Sequence, residues 1–122
     1  MIKGIGLDMI DLDRVAAAVQ KNNRFVERIL TTTEIRQYEK YKGARQIEYL
    51  AGRFAAKEAY AKAIGTGFGK GLHFTDIEIL QDADGKPHVV KPTQTDTAVF
   101  VSITHTGRSA AAQIIIEWKE GN

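Results

Sequence analysis

One long helix ending at Gly65 constrains the fold of this 122-residue chain more than any other feature. Residues 53–64 are rich in Ala, Lys and Glu and contain neither Pro nor Gly, which is typical of a helix that a glycine terminates. We expect the helix to run from about Arg45 to Ile64. Apolar residues recur along it at spacings of three and four, and this period predicts one face turned toward the core.

Glu58 falls on that apolar stripe, four residues after Phe54 and three before Ala61. A carboxylate on a buried face is costly unless it is paired or bound to a metal. Two interpretations remain open. Lys62, one turn further on, can pair with Glu58 at the edge of the core. Alternatively, a second carboxylate from elsewhere in the chain joins Glu58 in a metal site, and Asp8 is the candidate.

Composition places the chain among ordinary globular proteins, with 43% hydrophobic and 26% charged residues. Its length suits a single domain spanning residues 1–122. No apolar run is long enough to cross a membrane, and the N-terminus does not resemble a signal peptide. Cysteine is absent, which excludes disulfides and thiolate metal sites and is consistent with a reducing cytoplasm.

Positive charge is concentrated in the helical part of the chain. Residues 14–62 contain eleven Lys and Arg against five Glu, a net charge of +6. Such a block favours an anionic partner, which could be a nucleotide, a phosphorylated ligand, an acidic protein or a nucleic acid. Charge alone favours the simpler interpretation, a solvated helical surface.

Caps and chain breakers predict the elements that precede the long helix. A strand over residues 2–7 contains Gly4 and Gly6, which indicate close approach of another backbone or a ligand, and Asp8 follows it directly. Three helices come next: residues 14–20 after Asp11 or Asp13, residues 24–30 after a cap at Asn23, and a helix to about residue 41. Thr31 and Glu34 form a capping-box pattern at the start of the third.

Alternating glycines at positions 65–71 predict a flexible loop, either a linker or a loop that faces a ligand. Four strands are expected after it, over residues 75–81, 88–91, 98–104 and 109–118, with a hairpin turn at residues 82–85. The continuous run Ile114 to Ile116 predicts that the last strand is covered on both faces. Segregated helices and antiparallel strands indicate an α+β fold.

Asp8, Glu58, Lys62 and His105 are the residues best suited to chemistry. Two carboxylates from separate elements form a minimal site for Mg²⁺, which takes oxygen ligands and often completes its shell with substrate phosphates. A neighbouring lysine is suited to a phosphate or to charge that develops on a leaving group. Taken alone, Asp8 is more often a helix cap, and His105 is more often a loop or strand-end residue with a satisfied hydrogen bond.

Three motifs connect these residues: IGLD at residues 5–8, FAAKEAYAK at residues 54–62 and SITH at residues 102–105. Together they resemble the signature of the 4′-phosphopantetheinyl transferases, and the chain is similar in length to the short bacterial members of that family. The resemblance covers Ile5 to His105. Thr104 stands where the family pattern has serine, a change that keeps the hydroxyl group.

The resemblance implies a 4′-phosphopantetheinyl transferase-like fold, an antiparallel sheet with segregated helices and one long central helix. It also implies transfer of 4′-phosphopantetheine from coenzyme A to a serine of apo-acyl carrier protein, in support of fatty acid biosynthesis. Asp8 and Glu58 would bind Mg²⁺, and Lys62 would offset charge on the departing phosphate. Glu58, directly or through a metal-bound water, would take the serine proton.

The same resemblance implies a homotrimer with sites at the subunit interfaces. The residues expected to contact coenzyme A are Lys62, His105, Thr106, Arg53, Arg45 and Gly65. A basic helical face with one aromatic anchor would dock the acidic carrier protein, through Arg14, Lys21, Arg24, Phe25 and Arg28.

Two other function classes stay open at this point. A catalytically silent module could bind coenzyme A or a carrier protein, although such a module would not need the pair of metal-binding carboxylates. A basic nucleic-acid-binding protein is the third class, but the chain lacks the aromatic ladder or basic recognition motif expected of one. We therefore expect neither nucleic acid nor a membrane as partner.

Overall fold

The computed structural model describes residues 1–69 and 71–120, so that Lys70 of the predicted glycine loop lies outside the described residues. Five strands and four α-helices are found there, with one short 3-10 helix at Phe74–Asp76. In chain order they are β1 (Ile2–Asp11), α1 (Leu12–Lys21), α2 (Phe25–Ile29), α3 (Thr32–Lys40), α4 (Ala44–Ile64), β2 (Glu78–Gln81), β3 (Pro87–Lys91), β4 (Thr97–His105) and β5 (Ser109–Trp118).

This order confirms the predicted α+β class, with differences at several boundaries. β1 continues past Leu7 to Asp11, so that Asp8 lies within the strand and not after it. The strand expected from residue 75 begins only at Glu78, because residues 74–76 form the 3-10 helix. The cap predicted for Asn23 is wrong: the Asn22 side chain accepts from the backbone N–H of Arg24 instead.

Two helix ends form as their sequence patterns predict. At α3, the Thr31 hydroxyl accepts from the Glu34 backbone N–H while the Glu34 carboxylate accepts from the Thr31 N–H, which completes the capping box. At α4, Gly65 adopts a left-handed conformation with φ of 85°, and its N–H donates to the Ala61 carbonyl. A residue with a side chain would be strained there, so the glycine sets the end of the helix.

The strands form two antiparallel sheets, β1-β5-β4 and β2-β3. The inner face of the larger sheet packs on α4 through small and apolar residues of β5, namely Ala112, Ile114 and Ile116. Its outer face carries Ile5, Leu7, Met9 and Phe100, which are 54–67% exposed. The prediction that Ile114–Ile116 is covered on both faces is therefore wrong for the isolated chain, since Ile115 lies on the open face between Ile5 and Phe100.

β1 lies directly against the backbone of α4. A Cβ atom added to Gly6 would lie 1.8 Å from the Ala59 carbonyl oxygen, and one added to Gly4 would lie 2.1 Å from that of Ala63. No side chain fits at either position, which confirms the close approach that the two glycines predict. The contact sets the distance between β1 and α4. It therefore also sets the position of Asp8, the next residue of β1 that faces α4.

The other side of α4 holds a buried ion pair. Lys57 Nζ lies 2.6 Å from Glu34 Oε1, and both side chains are fully buried. The same ammonium donates to the Ile29 carbonyl, and Glu34 Oε2 accepts from the Ile79 N–H. The apolar stripe predicted from the sequence thus needs correction, because α4 is buried around most of its circumference. Its buried charged residues are Arg53 and Lys57, whereas Glu58 is only half-buried.

Two clusters of buried residues lie on either side of α4, one beneath the sheets and one beneath α1, α2 and α3. Within residues 1–69 and 71–120, no helix combines the length and apolar character needed to span a bilayer.

Candidate active site

Asp8 and Lys62 meet where β1 crosses the C-terminal part of α4. Lys62 Nζ lies 3.0 Å from Asp8 Oδ1 and donates to the Leu7 carbonyl oxygen at the same distance. Asp8 faces inward because it shares the inner face of the sheet with Gly4 and Gly6. The Lys62 side chain is 54% exposed and can reach a ligand in solvent, whereas that of Asp8 is 18% exposed and held in place.

Glu58 lies one helical turn before Lys62 and is half-buried. Burial raises the pKa of its carboxyl above the usual value, the negative charge of Asp8 raises that pKa further, and Lys62 lowers it in part. Because the charges of Asp8 and Lys62 both act on the Glu58 carboxyl, the three residues belong to one site. The interpretation of Glu58 as half of a simple pair with Lys62 is therefore incomplete, because Lys62 makes its ion pair with Asp8.

An open cleft of about 310 Å³ adjoins the two α4 residues of this group. Glu58, Lys62 and Gly65 line it, together with Ala61, Gly67 and Phe68. The cleft therefore presents a carboxylate and an ammonium group beside the left-handed turn that ends α4. Of the predicted coenzyme A contacts, Lys62 and Gly65 lie here.

Arg45 and His105 lie in a second group, at the N-terminal end of α4 and the end of β4. Glu48 joins them: its Oε1 is 3.8 Å from Arg45 Nη1 and 3.9 Å from His105 Nε2. Glu48 was missed at the sequence level, although its position three residues after Arg45 on a helix is a signal for such a pair. The group belongs to the β4 edge of the sheet, while Asp8 belongs to the β1 edge.

Thr106 directly follows His105 in the turn between β4 and β5. Its Oγ1 accepts from the backbone N–H groups of Arg108 and Ser109, each at 3.1 Å. These bonds fix the side chain as an acceptor, and they leave its hydroxyl hydrogen free to donate to a ligand oxygen. Thr106 is thus suited to a phosphate contact next to His105.

Arg53 does not join either group. The residue is 5% exposed, its Nε donates to the Ile79 carbonyl at 3.2 Å, and its guanidinium lies 4.4 Å from the centre of the Tyr49 ring. These contacts hold the side chain against β2 and its own helix, and its role as a ligand for the 3′-phosphate stays a prediction. Burial also raises the pKa of Tyr49 to about 12, so its hydroxyl stays protonated.

The five residues predicted to dock a carrier protein lie on α1 and α2 or directly between them. Arg14, Lys21, Arg24 and Arg28 are exposed. Phe25 is half-buried and stacks on Phe54 of α4, with ring centroids 6.2 Å apart. Four exposed cations and one anchored aromatic ring thus lie on α1 and α2 or between them.

Asp8 and Glu58 have the right chemistry for part of a Mg²⁺ site. They are carboxylates on separate elements. Burial and then the negative charge of Asp8 raise the pKa of Glu58, and a divalent cation would relieve the repulsion between the two carboxylates. Across the two described ranges, no three side chains of His, Asp or Glu come together as a complete protein-only metal site. Two carboxylates fit a cation that takes its remaining ligands from water and substrate phosphates.

Comparison with known proteins agrees with this arrangement. A family model described as the 4′-phosphopantetheinyl transferase superfamily matches residues 4–115. The chain belongs to this superfamily.

Two curated relatives and one solved structure illustrate the similarity. The holo-[acyl-carrier-protein] synthase of Listeria innocua is 74% identical over 96% of this chain and 99% of its own length. The protein of that name from Bacillus subtilis is 53% identical over 96% of this chain and 97% of its own. One similar solved structure is a crystal structure of a holo-(acyl-carrier-protein) synthase from Bacillus anthracis in complex with CoA (3′,5′-ADP). It is 47% identical in sequence and has a TM-score of 0.89, and the alignment covers 98% of this chain and 99% of the Bacillus anthracis chain.

The raised pKa of Glu58 predicts a pH-dependent stability difference. An acid whose pKa is higher in the folded state stabilises the fold below its unfolded pKa, near 4.5, and loses that contribution as the pH rises through the folded pKa. In metal-free buffer, Glu58→Gln should therefore raise Tm at pH 8 by roughly 1 to 4 °C, a small shift because solvent screens a half-exposed site. At pH 4 the two proteins should melt together.

Glu39→Gln, on an exposed face of α3, is the matched control and should leave Tm unchanged at both pH values. Thermal melts followed by circular dichroism make the comparison. A lower Tm for Glu58→Gln at pH 8 would show that the carboxylate stabilises the free protein.

Proposed function

We propose that this chain transfers 4′-phosphopantetheine from coenzyme A to a serine of apo-acyl carrier protein, releasing adenosine 3′,5′-bisphosphate. The observation that supports this most directly is the grouping of Asp8, Glu58 and Lys62, of which the last two line one cleft, in a chain of this superfamily. The reaction would serve fatty acid biosynthesis in the cytoplasm.

In the proposed reaction, the serine oxygen attacks the β-phosphorus of coenzyme A, and the bond from that phosphorus to the bridging oxygen breaks. Glu58 would take the serine proton, directly or through water, as the carboxylate that lines the cleft beside Lys62. The Lys62 ammonium would offset the charge that collects on the departing phosphate. Asp8 holds Lys62 at 3.0 Å and so orients it.

Asp8 and Glu58 would hold a Mg²⁺ ion together with the diphosphate of coenzyme A. When bound, the ion supplies charge neutralisation and a template for in-line transfer. The chain's own contribution is to keep the two carboxylates close in spite of their repulsion. It does so through the packing of Gly4 and Gly6 on α4, which leaves Asp8 and Glu58 little freedom to separate.

We further propose that the active enzyme is a homotrimer with its sites between subunits. Asp8, Glu58 and Lys62 lie at the β1 edge of the sheet, and His105, with Thr106, lies at the β4 edge. A ring of subunits brings the β1 edge of one chain to the β4 edge of the next. The outer face of the sheet, with Leu7 and Phe100 more than half exposed, would be covered in such a ring.

In this assembly, each coenzyme A would lie between two subunits. Its diphosphate would lie at Glu58 of one subunit, and the adjacent subunit would bind its phosphates through Arg45, His105 and Thr106. His105 and Arg45 both lie within 4 Å of the Glu48 carboxylate, at 3.9 and 3.8 Å, so the two side chains are neighbours in the isolated chain.

Carrier-protein docking is proposed for the face formed by Arg14, Lys21, Arg24, Phe25 and Arg28. An acidic protein would approach these exposed cations by electrostatic attraction, and the Phe25 ring, held against Phe54, would form the apolar contact. Arg28 lies on α2, and the carbonyl of Ile29 at the end of α2 accepts a hydrogen bond from Lys57 of α4. Lys57 directly precedes Glu58. Docking there would bring the carrier serine toward the site.

The transfer itself is tested by incubating the protein with coenzyme A, apo-acyl carrier protein and Mg²⁺ and measuring the intact mass of the carrier. We expect a gain of one phosphopantetheine that EDTA abolishes. Asp8→Ala should lower kcat/KM by about a hundredfold or more, and Lys62→Ala should lower kcat more than it raises KM. Asp84→Ala, in the exposed β2–β3 turn, is the matched control.

Coenzyme A binding without any transfer by the wild-type protein would instead indicate a silent binding module. Wild-type rates in Asp8→Ala would remove that carboxylate from the mechanism.

Interface sites predict complementation between two defective chains. Asp8→Ala and His105→Ala each damage one edge, so a mixed trimer contains some interfaces with both edges intact. Random assembly of equal amounts restores about one quarter of the sites. Co-expression with two different affinity tags, followed by the mass assay, should give activity well above the average of the two parent proteins. Activity equal to that average would contradict sites shared between subunits.

The docking face predicts an effect confined to one substrate. Arg14→Glu should raise KM for the carrier protein roughly tenfold and leave KM for coenzyme A unchanged, because it reverses a charge on the docking face only. Arg36→Glu makes the same change in charge on α3, outside that face, and should match the wild type. Equal effects of the two substitutions would show that only net charge matters.

A further inference from the structure

Glu48 is a carboxylate of α4 that has no role in the function described so far. Its Oε1 atom lies 3.8 Å from Arg45 Nη1 and 3.9 Å from His105 Nε2. Glu48 is half-buried, whereas Arg45 and His105 are exposed. A negative charge therefore lies directly beside two of the side chains that are expected to bind the phosphates of coenzyme A.

The packing of α4 on β4 brings Glu48 to this place. A Cβ atom added to Gly52 would lie 3.0 Å from the Ile103 side chain, so the helix passes close to the strand there. Glu48 lies one helical turn before Gly52, on the same side of α4. His105 lies two residues after Ile103, on the same face of β4. The two side chains are therefore neighbours because their elements already touch one turn away.

The Glu48 carboxylate is attracted to its neighbours but not bonded to them. Both distances are longer than the roughly 2.7–3.2 Å of an N–H···O hydrogen bond, so the attraction is electrostatic and has little directional preference. Across residues 1–69 and 71–120, no hydrogen bond to this carboxylate is found. The side chain can therefore turn aside when another anion approaches the same two groups.

Arg45 and Thr106 have supports of their own that do not involve Glu48. The Arg45 guanidinium lies 4.7 Å from the centre of the Tyr41 ring, in a cation–π contact. The Thr106 hydroxyl is fixed by two backbone N–H groups of the turn that contains it. Removal of the Glu48 charge should therefore leave these phosphate ligands in place.

We propose that Glu48 is an internal competitor for the phosphate-binding pair Arg45 and His105. The inference rests on the proposed function, because it takes these two side chains to bind a phosphate of coenzyme A. In the free protein, the carboxylate occupies the place beside both groups that a phosphate oxygen takes when the ligand binds. The phosphate must displace it, which weakens the binding of coenzyme A and of adenosine 3′,5′-bisphosphate alike.

Such a competitor favours release of the product. Adenosine 3′,5′-bisphosphate keeps two of the phosphates of coenzyme A, so the groups that bind the substrate also hold the product. The product must leave before the next coenzyme A binds, and product release limits kcat in many enzymes. Glu48 assists this step because its carboxylate replaces the departing phosphate as the counter-ion of Arg45.

Isothermal titration calorimetry with adenosine 3′,5′-bisphosphate and Mg²⁺ tests the proposal. Glu48→Gln keeps the size of the side chain and removes its charge. Its Kd at low salt should be roughly three- to tenfold lower than that of the wild type, and the difference should shrink at about 0.5 M salt, which screens charges near the surface. Glu39→Gln, the same exchange on an exposed face of α3, should keep the wild-type Kd.

A second background separates competition for Arg45 from a general change in charge. In Arg45→Ala, the carboxylate has lost one of the two groups for which it competes. Glu48→Gln should therefore lower Kd by less than about twofold in that background. The full three- to tenfold gain without Arg45 would show that Glu48 acts only through net charge, and the competitor role would be wrong.

The direction of the change decides between the alternatives. If Glu48 supported the phosphate site, or if Glu48→Gln damaged the fold, Kd would rise. A higher or an unchanged Kd for Glu48→Gln, in a wild type that binds the bisphosphate and transfers phosphopantetheine, would contradict the competitor role and leave the proposed function intact. A wild type that neither binds the bisphosphate nor transfers phosphopantetheine would overturn the proposed function, and the competitor role with it.

Discussion

The buried ion pair between Lys57 and Glu34 is the interaction on which the helical half of the molecule depends. Glu34 Oε1 accepts from Lys57 and from the Thr31 N–H, and Glu34 Oε2 accepts from the Ile79 N–H, while Lys57 also donates to the Ile29 carbonyl. Two charges thus join the end of α2, the start of α3, the middle of α4 and the beginning of β2. Burial lowers the pKa of Lys57, and the Glu34 carboxylate opposes that effect. Removal of one partner from such a pair typically costs 3 to 5 kcal/mol, since it leaves an uncompensated buried charge.

The network also connects structure to the proposed reaction, because Lys57 and Glu58 are consecutive residues of α4 that face in different directions. Lys57 fixes the helix to the side that carries Phe25 and Arg28, and Glu58 points toward Asp8. On the opposite side, Gly4 and Gly6 bring β1 against the same helix. The helix α4 therefore connects the carboxylate pair to the proposed docking face, since it contacts β1 on one side and α2 on the other.

The sequence predicts most elements because each has a local signal: the capping box of α3, the glycine that ends α4 and the alternation in β4. Arg53 and Lys57 show where local signals are insufficient. Both are long cations in a helix rich in Ala and Lys, and their partners, Ile79 and Glu34, are 26 and 23 residues away in the chain. Periodicity assigns a residue to a face but does not identify what covers that face. For this reason Glu58 was expected inside the core, and Lys57, its neighbour, was found there.

Asp8, Glu58 and Lys62 could be predicted together only through the resemblance of the motifs that contain them, since 50 residues separate Asp8 from Glu58. Their convergence requires the pairing of β1 with β5, the last strand of the chain, which holds β1 over α4. The same pairing aligns Ile5, Leu7 and Met9 on the outer face, where they contact solvent in the isolated chain. The strand that brings the Asp8 carboxylate to one face of the sheet thereby exposes an apolar surface on the other. In the proposed trimer, assembly would bury this surface. Alternate residues of β1 would then have two roles: the inward Asp8 belongs to the site, and the outward Ile5, Leu7 and Met9 stabilise the oligomer.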